Sequence, residues 1–81
     1  MTPGQSRAAR ALINWTQPRL AEAAGVGLST VVDFERERRV VSAESQKALR
    51  LALETEGVIF IDADDEGPGV RLRKDSPQAA E

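Results

Sequence analysis

The stretch Thr16–Arg36 constrains the fold of this 81-residue chain more than any other segment. Apolar residues recur at helical spacing on both sides of Gly25, which predicts one short helix over about 17–24 and another over about 28–36. Glycine ends helices in the left-handed conformation without the steric penalty that a Cβ brings. The pattern therefore predicts two short helices joined by a tight turn. Their expected core-facing residues are Leu20, Ala21, Ala24, Val26, Val31 and Phe34.

Several further residues stand at fixed spacing around this turn. They are the groups Thr16-Gln17, Leu20-Ala21, Gly25-Val26, Ser29-Thr30-Val31 and Phe34-Glu35-Arg36. With this spacing the segment resembles the helix-turn-helix proteins of the XRE/Cro/phage-repressor family, and the resemblance covers most of residues 5–57. It implies a mainly α fold, a four-to-five-helix, lambda-repressor-like helix-turn-helix bundle with a short C-terminal β element. In such a bundle the second helix of the motif is presented to the major groove of DNA.

The chain has no cysteine and no histidine. Disulfides and thiolate metal sites are therefore excluded, and the commonest general base and metal ligand is missing. Because no convergent catalytic set remains, we expect a protein that is not an enzyme and needs no cofactor. No apolar run approaches the roughly 20 residues that span a bilayer, and no secretion signal opens the chain. We therefore expect a cytoplasmic protein that associates with the nucleoid when bound to DNA.

Charge is distributed unevenly along the chain, although its net value is only −2. Residues 1–50 carry eight basic and five acidic residues, a formal charge of +3, whereas residues 51–81 carry three basic and eight acidic residues, a formal charge of −5. The helical half is thus basic, which favours attraction to phosphate, but its modest charge predicts weak and salt-sensitive non-specific binding. The acidic run over 62–66 lacks the spacing of a calcium-binding loop, so we interpret it as a solvated loop and expect no bound metal.

Capping residues predict where the helices begin and end. Thr2 and Gln5 form a capping-box pattern before a first helix, and Asn14 is suited to end that helix in the left-handed conformation. Thr16 and Ser42 are good N-caps for a second and a fourth helix, the latter running to about residue 56. The residues expected to face the core are Ala8, Ala9, Leu12 and Ile13 in the first helix and Leu49, Leu51, Ala52 and Leu53 in the fourth.

The C-terminal third changes to β-type patterning. A β-branched apolar run over 58–61 and an alternating run over 70–73 predict two strands. Because exposed strand edges invite pairing and an isolated hairpin is only marginally stable, we expect these strands to pair with those of a second chain. The alternative is that the fourth helix and its neighbours dimerise while the strands fold back on their own subunit. The chain thus divides into a helix-turn-helix domain over 1–57, a dimerisation element over 58–74 and a disordered tail over 75–81. The expected dimerisation residues are Val58, Ile59, Phe60, Ile61, Val70 and Leu72.

The resemblance also implies a set of DNA-contacting residues. Gln17 stands at a position that reaches a phosphate, and a solvated first-turn glutamine is the alternative. On the outward face of the third helix, Ser29 can donate or accept at a base edge, and Leu28 or Val32 can touch a thymine methyl. Asp33 can accept from a cytosine amino group, and DNA shape can supply further specificity. The implied set is Thr16, Gln17, Leu28, Ser29, Thr30, Val32, Asp33, Arg36, Arg38 and Arg39.

The segment after the third helix is basic and departs from the pattern of the family. Arg36, Arg38 and Arg39 would straddle the DNA backbone, and a solvated charge run is the alternative. Glu37 stands where glycine is usual, and Val41 stands where proline is usual. Both usual residues fix the conformation of this loop, so the sequence alone leaves that conformation open.

Arg10 and Glu35 match a pair that in the family bridges the first helix to the end of the third. We expect a structural role for this ion pair, because breaking one side of a buried pair is costly. The resemblance as a whole implies a sequence-specific regulator of transcription that binds double-stranded DNA, with repression by a homodimer on an inverted-repeat operator as the expected mechanism. The alternative is an antitoxin or other interaction module that uses the same fold to bind a regulatory protein partner.

Overall fold

Four helices and a two-stranded antiparallel sheet make up residues 1–76, the part of the chain that the computed structural model describes. The helices precede the strands, so the protein is mainly helical with a short β element toward its C-terminal end. This confirms the expected order of elements, with four helices in the described residues. The elements are α1 (Pro3–Leu12), α2 (Gln17–Ala24), α3 (Leu28–Glu35), α4 (Ala43–Thr55), β1 (Val58–Ile61) and β2 (Gly69–Leu72).

Local capping signals begin and end the helices as the sequence predicts. The Thr2 hydroxyl accepts a hydrogen bond from the Gln5 backbone N–H at 3.0 Å, and the Gln5 side chain accepts one from the Thr2 N–H at 2.8 Å. Thr16 and Ser42 cap α2 and α4 with their hydroxyl groups. Asn14 takes the left-handed conformation after α1, with a φ of 58°. The caps satisfy backbone N–H groups that a helix terminus leaves without partners.

One hydrophobic core joins the helices to the sheet within the described residues. Leu20, Leu49 and Leu53 are fully buried at its centre, and Val58 and Phe60 of β1 pack into the same cluster. Burying a side chain of this size contributes about 1.5–3 kcal/mol. The helices and the C-terminal strands therefore form one packing unit, and neither covers its apolar side without the other.

The expected core face of α4 is partly wrong. Leu49 and Leu53, one helical turn apart, are buried, and Ala52 is half-buried. Leu51 instead is 64% exposed. A helix turns only one side to a core, so a run of neighbouring apolar residues cannot all be buried.

The expected core face of α1 is also partly wrong, because Ala8 and Leu12 face solvent. Two polar side chains, Gln5 and Ser6, take buried positions on α1 instead. Their burial is tolerated because each has a hydrogen-bond partner inside the protein. A buried polar group without a partner would lower the free energy of unfolding. The inner side of α1 is thus formed by Gln5, Ser6, Ala9 and Ile13.

The two strands pair with each other inside the chain. Val58 lies opposite Leu72, and Ile61 lies opposite Gly69 at the end of the hairpin next to the loop. Gln5 Nε2 donates hydrogen bonds to the carbonyl oxygens of Ile61 at 3.0 Å and Gly69 at 2.9 Å. Helix α1 therefore closes the loop end of the hairpin, which is how a long loop is tolerated there.

The strands thus fold back on their own subunit, and their pairing with those of a second chain stays a prediction. Val58 and Phe60 are buried in the core of their own subunit, because one side of the sheet covers the helices. Ile59 and Ile61 lie on the opposite side of the sheet and are half-buried. Four of the expected dimerisation residues thus pack within the subunit, namely Val58, Phe60, Val70 and Leu72.

After β2 the chain returns to the end of α4. Arg73 N donates to the Gly57 carbonyl at 2.8 Å, and the buried Ser76 donates from its hydroxyl to the Glu56 carbonyl at 3.3 Å. The expected disordered tail over 75–81 is thus ordered as far as Ser76, and its remainder lies outside the described residues. Among the described helices, none is long and apolar enough to cross a membrane.

Candidate nucleic-acid interface

The turn between α2 and α3 sets the position of α3. Gly25 ends α2 in the left-handed conformation with a φ of 70°, and the next backbone N–H, that of Val26, donates to the Ala21 carbonyl at 3.1 Å. Gly27 then begins α3 as an N-cap that makes no side-chain hydrogen bond. Val31 and Phe34 of α3 are buried in the core. The opposite side of α3 therefore faces away from the protein.

Glu35, the last residue of α3, lies at the centre of a buried polar network. Its carboxylate accepts hydrogen bonds from Arg10 Nη2 at 2.6 Å, from the Ser6 hydroxyl at 2.6 Å and from Gln17 Nε2 at 3.1 Å. Arg7 donates to the Glu35 backbone carbonyl. The Glu35 side chain is fully buried, and that of Arg10 is only 18% exposed. The expected ion pair between Arg10 and Glu35 is present, and the network ties α1 and α2 to the end of α3.

The network also holds Glu35 in its ionised form. Burial raises the pKa of the Glu35 carboxyl, but the hydrogen bonds from Arg10, Ser6 and Gln17 and the charge of Arg10 together lower it by more. The resulting pKa lies below the ordinary value of 4.5. Hydrogen-bond donors around a buried carboxylate stabilise its charged form. Loss of one donor leaves a buried charge that is poorly compensated.

Gln17 is turned inward, toward Glu35, rather than outward into solvent. Its amide nitrogen donates to Glu35 Oε1, and the residue is half-buried at the start of α2. A side-chain amide has two N–H groups, so one of them remains when the other is bound to a carboxylate. The solvated alternative does not describe this geometry. The phosphate contact stays a prediction. The second N–H of the Gln17 amide would make this contact, because the first is bound to Glu35.

The outward face of α3 carries the residues that the sequence assigns to the base edges. Leu28 and Ser29 are exposed in the first turn, and Val32 and Asp33 follow four residues later on the same side, half-buried. Residues four apart lie next to each other on a helix surface. These four side chains therefore form one strip along α3, which we call the α3 strip. Thr30, also in the predicted set, is half-buried beside it.

The arginines after α3 differ from one another in their partners. Arg39 Nε donates to Asp33 Oδ2 at 2.8 Å, so its charge is already paired in the free protein. Arg36 and Arg38 are exposed and have no ion-pair partner among the residues described. The predicted basic cluster thus contains two free cations and one cation that neutralises the acidic end of the α3 strip.

The loop after α3 accommodates both departures from the pattern of the family. Glu37 takes the left-handed conformation with a φ of 56°, which is the conformation that a glycine would supply without strain. Val41 is buried in the core, and its carbonyl accepts a hydrogen bond from Gln46 Nε2 at 2.9 Å. Val40 beside it is 93% exposed. The loop therefore contains a residue with a strained backbone, Glu37, and a side chain buried in the core, Val41.

Sequence reasoning missed three residues of α1 that position the site. Ser6 and Arg7 bind the two ends of Glu35, its carboxylate and its backbone carbonyl, and Gln5 binds the hairpin. One signal was available for Ser6, because it lies four residues before Arg10 and so on the same side of α1. Nothing in the sequence indicates the partners of Gln5, which are backbone carbonyl oxygens more than 50 residues away.

A second surface feature lies on another part of the molecule. A groove between α2 and α4 is lined by four alanines, two large apolar side chains and three polar ones: Ala23, Ala24, Ala48, Ala52, Trp15, the exposed Leu51, Arg19, Thr55 and Glu56. The guanidinium of Arg19 stacks over the Trp15 ring at 4.5 Å from its centre. Within residues 1–76, no group of three or more acidic side chains is arranged to hold a metal ion.

The chain matches no protein-family model and shows no significant similarity to any curated protein compared with it. The motif residues and the geometry of the site are therefore the features that indicate a function.

Proposed function

We propose that this protein is a sequence-specific regulator of transcription that binds double-stranded DNA. In this proposal it belongs to the XRE/Cro/phage-repressor class, has a lambda-repressor-like bundle and acts in the cytoplasm on the nucleoid. It performs no catalysis and requires no cofactor. In this proposal it represses by occupying an operator and so excluding polymerase from the DNA.

The observation that carries the proposal is the contrast between the two sides of α3. The inner side is fixed by Val31, Phe34 and the network around Glu35, so the helix is held rigidly. The outer side presents the α3 strip and leads directly into the unpaired Arg36 and Arg38. A rigid helix with an outward-facing strip and adjacent unpaired cations is suited to enter the major groove, with its first residues at the base edges.

The homodimer belongs to the same proposal and now rests on two of the six residues expected at its interface. Ile59 and Ile61 are the apolar side chains that the hairpin keeps on its outer side. A two-fold dimer places two copies of α3 about one DNA turn, roughly 34 Å, apart. Ile59→Glu should therefore give a folded monomer in sedimentation and weaken operator binding, whereas a dimer of unchanged stability would exclude this interface.

A second candidate is an interaction module, such as an antitoxin, that binds a protein partner. The groove between α2 and α4 favours it, because Leu51 is exposed there without a partner among the described residues. Exposed apolar patches of this kind often mark protein contacts. The two candidates differ in which side of the molecule carries activity, the α3 strip or the groove.

The deciding experiment is selection of binding sites from a pool of random duplexes, followed by footprinting of the selected sequence. We expect an inverted repeat with two protected half-sites. Ser29→Asn should then change the preferred base at one position by about 1–3 kcal/mol. Ala23→Asn, at an exposed position of α2, is the matched control and should leave the preference unchanged. If the pool yields no enriched sequence, the protein is not a sequence-specific DNA binder.

A further inference from the structure

Gln5 is a polar side chain of α1 that is buried against the hairpin. It is only 7% exposed, and its amide nitrogen Nε2 donates to the carbonyl oxygens of Ile61 at 3.0 Å and Gly69 at 2.9 Å. Its amide oxygen accepts from the Thr2 N–H at 2.8 Å, so the nitrogen and the oxygen of the amide both have partners. One side chain thus binds both strands of the hairpin at the same point.

The two ends of the hairpin are held by different contacts. At the end next to α4, the Arg73 N–H donates to the Gly57 carbonyl at 2.8 Å. At the other end, Ile61 lies opposite Gly69 in the last pair before the loop. The side-chain hydrogen bonds to this last pair come from Gln5. Removal of these bonds would therefore leave the loop end of the hairpin held by packing alone.

Helix α1 also holds α3, through the side chains that follow Gln5. Ser6 and Arg10 each donate to the Glu35 carboxylate at 2.6 Å. Arg7 donates to the backbone carbonyl of the same residue. Regular secondary structure transmits a change of position as a rigid element. Because the hairpin and the end of α3 are attached to the same helix, the direction of the hairpin is fixed relative to α3.

The direction of the hairpin matters in a dimer, because Ile61 is one of the two outward side chains on which the proposed interface rests. On the basis of the DNA-binding dimer proposed above, we propose that Gln5 is a positioning residue that fixes the geometry of the dimer and thereby selects the spacing of the two half-sites. Gln5 acts from inside its own subunit, where it is buried. Half-site spacing in two-fold helix-turn-helix dimers follows from the distance between the two recognition helices.

The test compares operators that differ only in the spacing of their half-sites. Selection supplies the preferred spacing, and one base pair is then added or removed between the half-sites. This change moves one half-site by about 3.4 Å along the DNA and turns it by about 35°. A rigid dimer cannot follow the change unless the DNA deforms, so the wild-type protein should lose about tenfold or more in affinity. The ratio of the two affinities is independent of the fraction of folded protein.

Variants of Gln5 separate its hairpin contact from its role in the cap of α1. Gln5→Glu removes the two donors and keeps the oxygen that accepts from the Thr2 N–H. The spacing ratio should then approach one, because a hairpin that is free at its loop end lets the dimer follow the changed spacing. Gln5→Met removes the same donors without introducing a charge and should give the same ratio. It replaces Gln5→Glu if the buried charge unfolds that variant.

Thr2→Ala is the matched control. It removes the hydroxyl that accepts from the Gln5 backbone N–H at 3.0 Å, and it leaves the contact between Gln5 and the hairpin in place. This variant loses a helix cap and should melt at a lower temperature, but its spacing ratio should equal that of the wild type. An equal fall of the ratio in Thr2→Ala and Gln5→Glu would show that any loosening of α1 has this effect.

Hydrogen exchange of the free protein tests the same contact without DNA. In Gln5→Glu, the backbone N–H groups of Ile61 and Gly69 should exchange faster, whereas that of Arg73 at the other end should exchange as in the wild type. Unchanged exchange at the loop end overturns the inference.

The remaining outcomes distinguish this inference from the function on which it rests. A spacing ratio that stays at the wild-type value in a folded Gln5 variant, or that falls equally in Thr2→Ala, overturns the inference and leaves the DNA-binding function intact. Selection of a single half-site without a repeat also overturns it. If no sequence is selected at all, the proposed function fails and the inference fails with it.

Discussion

The two sides of α3 are built on opposite principles. On the inner side, Glu35 is fully buried, and no buried side-chain nitrogen or oxygen atom of the described residues lacks a hydrogen-bond partner. On the outer side, Leu28 is exposed and Arg36 and Arg38 have no ion-pair partner among the described residues. The eight residues of α3 thus form one side that packs inside the protein and one side that faces solvent. The buried charges therefore position α3, while its outer side remains accessible to a ligand.

The network of Glu35 also explains why so short a helix is stable. Isolated helices of this length are marginal in water, and most of their stability in proteins comes from packing. Arg10 and Ser6 reach Glu35 from α1, and Gln17 reaches it from α2. The positions of three helices are therefore coupled through one carboxylate.

The largest effect is expected for Arg10→Ala, which removes the principal partner of Glu35. The buried carboxylate would lose its counter-charge, and the free energy of unfolding should fall by about 3–5 kcal/mol. Thermal and urea denaturation of the free protein measure this loss. Arg73→Ala is the matched control, because its ion pair with Asp75 is exposed on both sides and should contribute less than about 1 kcal/mol. Equal melting temperatures for the two variants would mean that the inner side does not hold the fold together.

A second effect follows from the lowered pKa of Glu35. Because this pKa lies below the ordinary value of 4.5, the ionised carboxylate stabilises the folded protein above pH 4.5, and the stabilisation is lost as the pH falls through the folded pKa. The difference in melting temperature between wild type and Glu35→Gln should therefore be largest near neutral pH and shrink below 4.5. Glu22→Gln, at an exposed position, provides the baseline for general effects of acid. A difference that stays constant down to acidic pH would contradict the assignment.

The sequence predicted the local features of this fold well and the long-range ones poorly. Thr2, Asn14 and Gly25 act as expected because a cap depends only on neighbouring residues. Leu51 was misjudged because several neighbouring apolar residues in α4 leave the buried side undetermined until α2 and the sheet are packed. The pairing of the two strands within the chain was not predicted, and neither were the hydrogen bonds that Gln5 donates to the hairpin across more than 50 residues.

The same contrast between local and long-range features holds for the candidate site. The motif spacing indicated which side of α3 is buried, since Val31 and Phe34 carry the helical period. The inward turn of Gln17 and the pairing of Arg39 with Asp33 depend on side-chain conformations, and several conformations are compatible with the sequence. Composition can therefore list the polar groups of a site, whereas only the structure tells which of them already have partners.

A smaller effect is expected at the loop that follows the outer side of α3. Glu37 pays a steric cost in its left-handed conformation, so Glu37→Gly should raise the free energy of unfolding by up to about 1 kcal/mol, after allowance for the greater entropy of glycine in the unfolded chain. Asn14→Gly is the matched control, because asparagine tolerates this conformation better and should gain less. Both are measured by thermal melting. A melting temperature of Glu37→Gly below wild type would show that the Glu37 side chain makes a stabilising contact.

The smallest effect separates the two kinds of arginine on the outer side. Each phosphate neutralised by a protein cation adds about 0.9 to the slope of log affinity against log salt concentration. Arg38 is unpaired, so Arg38→Ala should lower the slope by about that amount, provided that it contacts the DNA backbone. Arg39 is bound to Asp33, and Arg39→Ala should change the slope by less, since forming a phosphate contact requires that this pair be broken. In an Asp33→Ala background the cost of breaking the pair disappears, and Arg39→Ala should then have the same effect as Arg38→Ala. Equal slopes for the two single variants would show that the pair opens freely on DNA, and the outer side would then present three available cations rather than two.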